Sequence, residues 1–180
     1  MCSWSCVVLQ ANPNYYNIME NLFLKKEQSV TFTGHRFISY GKLPILKAAL
    51  KNVIIELYAK GYNNCYCGMA MGFDLLSAEA VLSLKAEYKE LRLIAVIPYR
   101  SQDERFSIAD KKRYHSILHK ADETTLLREN YHQGCLLKRN DYMLAHSSQV
   151  IAYFDGENKG GTFYTCRNAQ AKDLPIINLF

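Results

Sequence analysis

The sequence predicts an α/β protein: three layers, α/β/α, around a mostly parallel sheet of about six strands. Three observations carry this. Strand-like runs alternate with helix-period segments from Ser29 to the C-terminus, with no repeat and no linker, and that order gives a parallel sheet covered on both faces. Leu91 to Ile97 is almost continuously apolar, as in a central parallel strand. Glycine-bearing turns fall between a strand and a helix twice, at Cys67-Gly68-Met69-Ala70-Met71-Gly72-Phe73-Asp74 and at Gly160-Gly161-Thr162.

In order, residues 1–28 form an N-terminal extension with no clear period, read as disordered or as a short helix, since Tyr15, Ile18, Met19, Leu22 and Phe23 fall at helical spacing. Met19 is an alternative start, about ten residues ahead of the first strand; intact mass of the natively expressed protein distinguishes it from Met1. The domain is residues 29–180. Ser29 to Thr33 alternates and is rich in β-branched and aromatic residues, hence a strand. Leu43 to Lys60 carries a helical stripe of Leu46, Leu50, Val53, Ile54 and Leu57, with Pro44 in its first turn and Gly61 past its end. Asn64 to Cys67 is the second strand, and Phe73 to Tyr88 a helix apolar around much of its circumference, so well buried. Leu91 to Ile97 is followed by a charged helix over Ser107 to Ala121. A strand over Glu123 to Leu127, a helix over Leu136 to His146, a strand over Val150 to Phe154, a helix over Gly161 to Ala171 and a strand over Pro175 to Leu179 complete the chain.

A chain of 180 residues with 49% apolar residues is an ordinary globular composition for one domain. The net charge of +5 leans slightly toward an anionic ligand and argues against a dedicated nucleic-acid binder. Six cysteines in a chain this long are no disulfide framework, no basic secretory start precedes Cys6-Val7-Val8-Leu9, and no run approaches the ~20 apolar residues of a membrane span. The expectation is a cytoplasmic protein with reduced thiols.

Ligands of open parallel sheets bind beyond the C-terminal strand ends. Thr33-Gly34-His35-Arg36, Gly68 to Asp74, Pro98-Tyr99-Arg100 and Asp155 to Thr162 all follow strands and can share one rim. Glycine lets backbone approach a ligand, and a helix start offers unpaired N–H groups to an anion, so Gly68, Gly72, Gly160 and Gly161 are candidate phosphate contacts; each could equally serve turn geometry alone. Thr162 is a phosphate donor or an N-cap. Arg36 is an anion clamp or a solvated surface group. His35 faces a base or ribose, or is satisfied by loop backbone. Asp74 accepts from a ribose hydroxyl, or simply suits the first turn of its helix. Tyr99 is a base-stacking candidate. Cys65 and Cys67 share a strand face, and His115 and His119 are one helical turn apart, but neither pair has further ligands at metal-site spacing, so no metal is expected. Gly-x-Ser-x-Gly and Gly-Lys-Ser/Thr patterns are absent.

Taken together, Val30-Thr31-Phe32-Thr33-Gly34-His35-Arg36, Gly68-Met69-Ala70-Met71-Gly72-Phe73-Asp74, Ile97-Pro98-Tyr99, Arg139-Asn140 and Gly160-Gly161-Thr162 resemble the YpsA-like family of the SLOG superfamily, from about Ser29 to the C-terminus. The resemblance implies a Rossmann-like fold and a pocket for a nucleotide or nucleotide-derived ligand of phosphate and ribose, in a sensing or regulatory role. It adds Arg139 and Asn140 as ligand or loop-organising residues; the alternative is a surface arginine beside a buried asparagine. The ligand-binding set it implies is Thr33, Gly34, His35, Arg36, Gly68, Met69, Ala70, Gly72, Asp74, Tyr99, Arg139, Asn140, Asp155, Gly160, Gly161 and Thr162. No cofactor is required, a bound nucleotide or NAD/ADP-ribose-type ligand is the expected occupant, and a homodimer fits the superfamily. The superfamily also contains the Lonely Guy phosphoribohydrolases, which cleave cytokinin nucleoside monophosphates, and DprA, which binds single-stranded DNA. An N-glycoside hydrolase is therefore the first alternative. Those enzymes carry a glutamate three residues after the turn threonine, and here Thr165 stands there, leaving Asp74 or Asp155 as the candidate catalytic carboxylate. DprA-like single-strand binding is the second alternative, and the small net charge argues against it.

Overall fold

The computed structural model describes residues 26–180. The leading helix and the alternative start at Met19 lie outside them. The described chain contains strands β1 (Ser29–Gly34), β2 (Asn64–Cys67), β3 (Arg92–Ile97), β4 (Glu123–Leu126), β5 (Gln149–Tyr153) and β6 (Ile176–Asn178). Its helices are α1 (Leu43–Ala59), preceded by a 3-10 turn over Tyr40–Lys42, α2 (Phe73–Leu84), α3 (Ile108–Lys120), α4 (Cys135–Ala145) and α5 (Gly160–Gln170). Every strand and helix expected from Ser29 onward is present, most within a residue or two of its expected bounds.

The exception is α2, which stops four residues before Tyr88. There the chain turns out of the helix, and the Tyr88 ring meets Tyr58 edge to face at 5.1 Å. At the start of α3, Ser107 is a cap rather than a helical residue: its Oγ accepts the Asp110 N–H at 3.1 Å.

The sheet is wholly parallel, in the order β4-β3-β2-β1-β5-β6. The chain steps outward from β1 to β4, then returns to lay β5 against the free side of β1, pairing Phe32 with Ile151 and Gly34 with Tyr153. The direction of winding therefore reverses between β1 and β5, and the loops that leave these two strands turn to opposite faces, opening a crevice between them.

Alternation along the strands separates the two faces. On β3, Leu93, Ala95 and Ile97 join the main core with Leu50 and Ile54 of α1, Leu75 and Val81 of α2 and Ile117 of α3. Ile94 and Val96 turn the other way, onto Met143 of α4. On β5, Ile151 belongs to the main core while Val150 packs with Leu144 of α4 and Ala169 of α5. Three helices thus cover one face and two the other, the α/β/α layering expected. No described helix is long and apolar enough to cross a membrane.

Candidate functional site

At the β1/β5 crevice lies a cavity of about 550 Å³. Its floor is the end of β1, Phe32, Thr33 and Gly34; His35 and Arg36 follow on the loop. Gly134, Cys135, Arg139 and Asn140 come from the start of α4, and Lys159, Gly160, Gly161 and Thr162 from the start of α5. Ala70 and Asp74 represent the loop after β2, and Tyr131, on the approach to α4, closes the wall.

No side chain caps the N-terminus of α4 or α5, a feature they share with α1 and α2, whereas Ser107 caps α3. Two helix starts with uncapped N–H groups therefore face one crevice, a setting that favours an anion. The charged side chains agree in sign: Arg36, Arg139 and Lys159 line the cavity against a single carboxylate, Asp74. Lys159 also pairs with Glu157 at 2.5 Å.

A buried polar chain builds the wall. Arg139, 5% exposed, donates through Nη1 to the Gly68 carbonyl and through Nε to Asn140 Oδ1 at 2.8 Å. Asn140 Nδ2 donates to Thr165 Oγ1 at 2.8 Å, and Thr165 donates in turn to the Gly161 carbonyl at 2.8 Å. The loop after β2, α4 and the first turn of α5 are thus joined by side chains with few unspent hydrogen bonds. Arg139 is therefore buried rather than at the surface, and its bond to the Gly68 carbonyl ties the loop after β2 to α4.

Asp74 stands 4.0 Å from Arg139 Nη1, and its Oδ2 accepts the Ala70 N–H at 3.2 Å. Burial pushes its carboxyl above the ordinary value, against Arg139, the Ala70 N–H and Arg36, which all favour the anion. Burial likewise lowers Arg139, against the attraction of Asp74. Both shifts have one cause: at 4.0 Å, without a direct hydrogen bond, the attraction does not fully offset removing two charges from water.

His35 is held by the other strand of the crevice. Its Nε2 lies 3.1 Å from both the Asp155 N–H and Asp155 Oδ1, and its ring sits among Tyr153, Phe154 and Phe180. The Glu157 N–H, followed by His35, holds the Asp155 carboxyl below its ordinary range despite some desolvation. Asp155 itself does not line the cavity, so of the two candidate carboxylates only Asp74 reaches it.

The structure gathers Thr33, Gly34, His35, Arg36, Ala70, Asp74, Arg139, Asn140, Gly160, Gly161 and Thr162 around one space. Gly68, Met69 and Gly72 are elsewhere. A side chain at 68 would collide with the Arg139 guanidinium and with Asp74, and one at 72, where φ is +79°, would collide with the Arg36 carbonyl. These two glycines admit close neighbours within the protein, so the first glycine turn is filled rather than open. Met69 is fully buried in the core. Tyr99 lines an adjoining chamber of about 430 Å³ that shares Arg36, Ala70, Tyr131, Leu136 and Arg139 with the cavity.

Tyr131, Gly134, Cys135 and Lys159 were not among the expected site residues. Gly134, immediately before an apolar helix stripe, was the available signal for the first three; Lys159 directly precedes the second glycine pair. Thr165, fully buried beneath the first turn of α5, does not line the cavity at all. Among the described residues no group of three His, Cys, Asp or Glu could hold a metal ion, and His115 instead meets Asp103 at 3.0 Å.

The chain is similar to a UPF0398 protein of Brevibacillus brevis, with 26% identity over 132 residues, covering 72% of this chain and 70% of the relative. It is also similar to the UPF0398 protein YpsA of Bacillus subtilis, 26% identical over 129 residues and covering 71% and 72% of the two chains. Among solved structures it resembles DNA processing protein A from Helicobacter pylori, described for its single-stranded DNA binding mode. The TM-score is 0.61 at 22% identity, over 86% of this chain and 66% of that one, a likeness of fold. The YpsA family model, described as the YspA SLOG family, matches residues 34–175, from the end of β1 to the approach to β6, and the chain belongs to that family.

Proposed function

We propose that this protein binds a nucleotide or nucleotide-derived ligand in the cavity between β1 and β5, in a sensing or regulatory role, within the cytoplasm. One observation carries this: two helix N-termini without side-chain caps and three cations converge on one crevice lined by a single carboxylate, Asp74. A phosphate would lie against Gly160, Gly161 and Thr162, with Arg36 as counter-charge, and His35 and Asp74 would border the sugar. A sensing role suits the chemistry better than turnover. Cleaving an N-glycosidic bond needs a carboxylate beside an oxocarbenium-like centre, and Asp74 is spent on Ala70 and Arg139.

The test is a thermal-shift screen against AMP, ADP-ribose, NAD, cyclic dinucleotides and ribose 5-phosphate, with product analysis of each hit. A ligand at ~100 times its Kd adds ~2.7 kcal/mol. The expected hit stays intact and disappears in Arg36→Ala and in Gly161→Asp. Position 161 has room for a side chain, its nearest neighbour being Asn140 Nδ2 at 3.9 Å, so Gly161→Asp tests charge at the phosphate position rather than folding. A cleaved hit would establish the hydrolase instead, and absence of any hit would refute nucleotide binding.

A second reading, single-stranded nucleic acid, is favoured by the fold shared with DNA processing protein A and weighs against the inference from net charge. Exposed Phe37, Tyr40 and Tyr131 near Arg36 offer stacking surfaces. Its mark would be oligonucleotide affinity falling steeply with salt.

A further inference from the structure

The adjoining chamber has features that one phosphate and one sugar do not use. We propose that the chamber walled by Tyr99, Gln102, Arg105 and Tyr131 is a second subsite of the ligand cavity. It takes a ring that carries a hydrogen-bond donor, so that the ligand is two ring-bearing halves bridged by phosphate. This rests on the nucleotide reading of the first cavity.

Four observations point there. The chamber and the cavity share a wall that includes Arg36 and Arg139, so a single ligand can reach from one to the other past these two residues. Among the described residues Arg36 and Arg105 have no ion-pair partner, and the chamber's one carboxylate is Glu104. A bridging diphosphate supplies the missing counter-charge for both.

Tyr99 and Tyr131 meet edge to face at 5.3 Å, and Tyr131 is 65% exposed. An exposed aromatic ring at the mouth of a concave space is a stacking surface for another ring. Gln102, by contrast, is 7% exposed: its Nε2 donates to the Gly68 carbonyl at 2.9 Å, and its Oε1 has no donor among the described residues. A buried acceptor without a donor is costly, and Gln102 lines this chamber. A hydroxyl, amino or amide N–H on the distal ring, with a small rotation of the amide, supplies the missing donor. Pairing requires the second half of the ligand to be polar at its far edge and aromatic on its face.

The experiment is calorimetric titration of the full chain with AMP and with diadenosine diphosphate. The expected result is that the two-ring ligand binds at least ~10-fold more tightly than AMP. Tyr99→Ala and Arg105→Ala should each remove most of that advantage while AMP affinity stays within about 2-fold, the scale of a lost base–aromatic contact being ~5- to 150-fold. Arg105 is exposed, so its variant folds independently of that side chain. Gly161→Asp should abolish both. Equal affinity for the two ligands, or equal weakening of both in the chamber variants, would overturn the second subsite while leaving the first cavity intact. Failure of both ligands to bind would overturn the nucleotide reading, and the second subsite with it.

Discussion

Arg139 and Gly68 are seventy-one residues apart in sequence, and the guanidinium of one occupies the space that a side chain on the other would need. Arg139 donates to the Gly68 carbonyl, Gln102 donates to the same oxygen at 2.9 Å, and Asp74 closes the third side. The loop after β2 is thereby locked to α4. The chain of hydrogen bonds that continues through Asn140 and Thr165 locks α4 to the first turn of α5. One buried network thus joins the loop after β2, α4 and the first turn of α5 in the cavity wall.

Gly68→Ala should therefore destabilise the protein by ~1–3 kcal/mol, the usual cost of overfilling a tight site. Most of that cost should vanish in an Arg139→Ala background, giving an interaction energy of ~0.5–3 kcal/mol in a double-mutant cycle. Urea unfolding of the four proteins measures it. Strictly additive losses would show that Arg139 is not what selects glycine at 68.

Asp74 gives this site a pH signature. Its carboxyl is raised by burial, so the folded protein holds that proton more tightly than the unfolded chain does. The contribution is fully present below the ordinary value of 3.8 and is lost as pH rises through the higher folded value. Asp74→Asn removes the titration and leaves Arg139, charged throughout, unchanged with pH. The difference in unfolding free energy, wild type minus variant, should fall across the interval just above pH 3.8 and then flatten. A difference that rises with pH there would mean that the attraction of Arg139 outweighs burial.

Arg139 also marks the limit of what was legible in the sequence. Element order and type were legible because the alternation of Ser29 to Thr33, the apolar run of Leu91 to Ile97 and the 3.6-residue stripe on α1 are local properties of the chain. The rim of the sheet was legible too, since strand ends in a parallel sheet share one edge. The placement of β5 beside β1 was not, because strand order is set by pairing between distant segments. For the same reason the glycine turn at 68 and 72 read as a phosphate cradle. What fills it, the Arg139 guanidinium and the Arg36 carbonyl, comes from segments with no sequence proximity to it. Cys135 and Tyr131 escaped notice because a helix start without a polar cap offers little signal beyond the glycine before it.

On the far edge of the sheet, Asp122 joins the end of α2 to the starts of β3 and β4. Its Oδ1 meets Lys85 Nζ at 2.5 Å and its Oδ2 accepts the Leu93 N–H at 2.8 Å. Desolvation raises this carboxyl, but Lys85 and the Leu93 N–H together outweigh it, so the net shift is downward from 3.8. A depressed folded value stabilises above the unfolded value and is lost as pH falls through the folded one. Asp122→Asn should cost ~1 kcal/mol at neutral pH, within the range for a hydrogen bond to a charged group discounted for partial exposure. The cost should fade below pH ~4 as the wild-type carboxyl protonates. A cost that persists unchanged at low pH would assign the effect to geometry rather than charge.

Thr165 tests whether hydrolysis could be restored by sequence alone. A glutamate at this position would enter a fully buried site where the hydroxyl now links Asn140 to the Gly161 carbonyl. Thr165→Glu should lose at least ~2 kcal/mol of stability, because an unpaired carboxylate there is either desolvated or forced to protonate. It should release no free base from nucleoside monophosphates, since position 165 does not line the cavity. Thr165→Val isolates the structural half of that result. It keeps the shape, removes the acceptor for Asn140 Nδ2, and should cost ~1–3 kcal/mol without introducing charge. Chemical denaturation of both variants, with chromatography of the nucleotide after incubation, separates the outcomes. A stable Thr165→Glu protein that liberates base would show that α5 can open its buried face at this position to a ligand, and would return the site to the hydrolases.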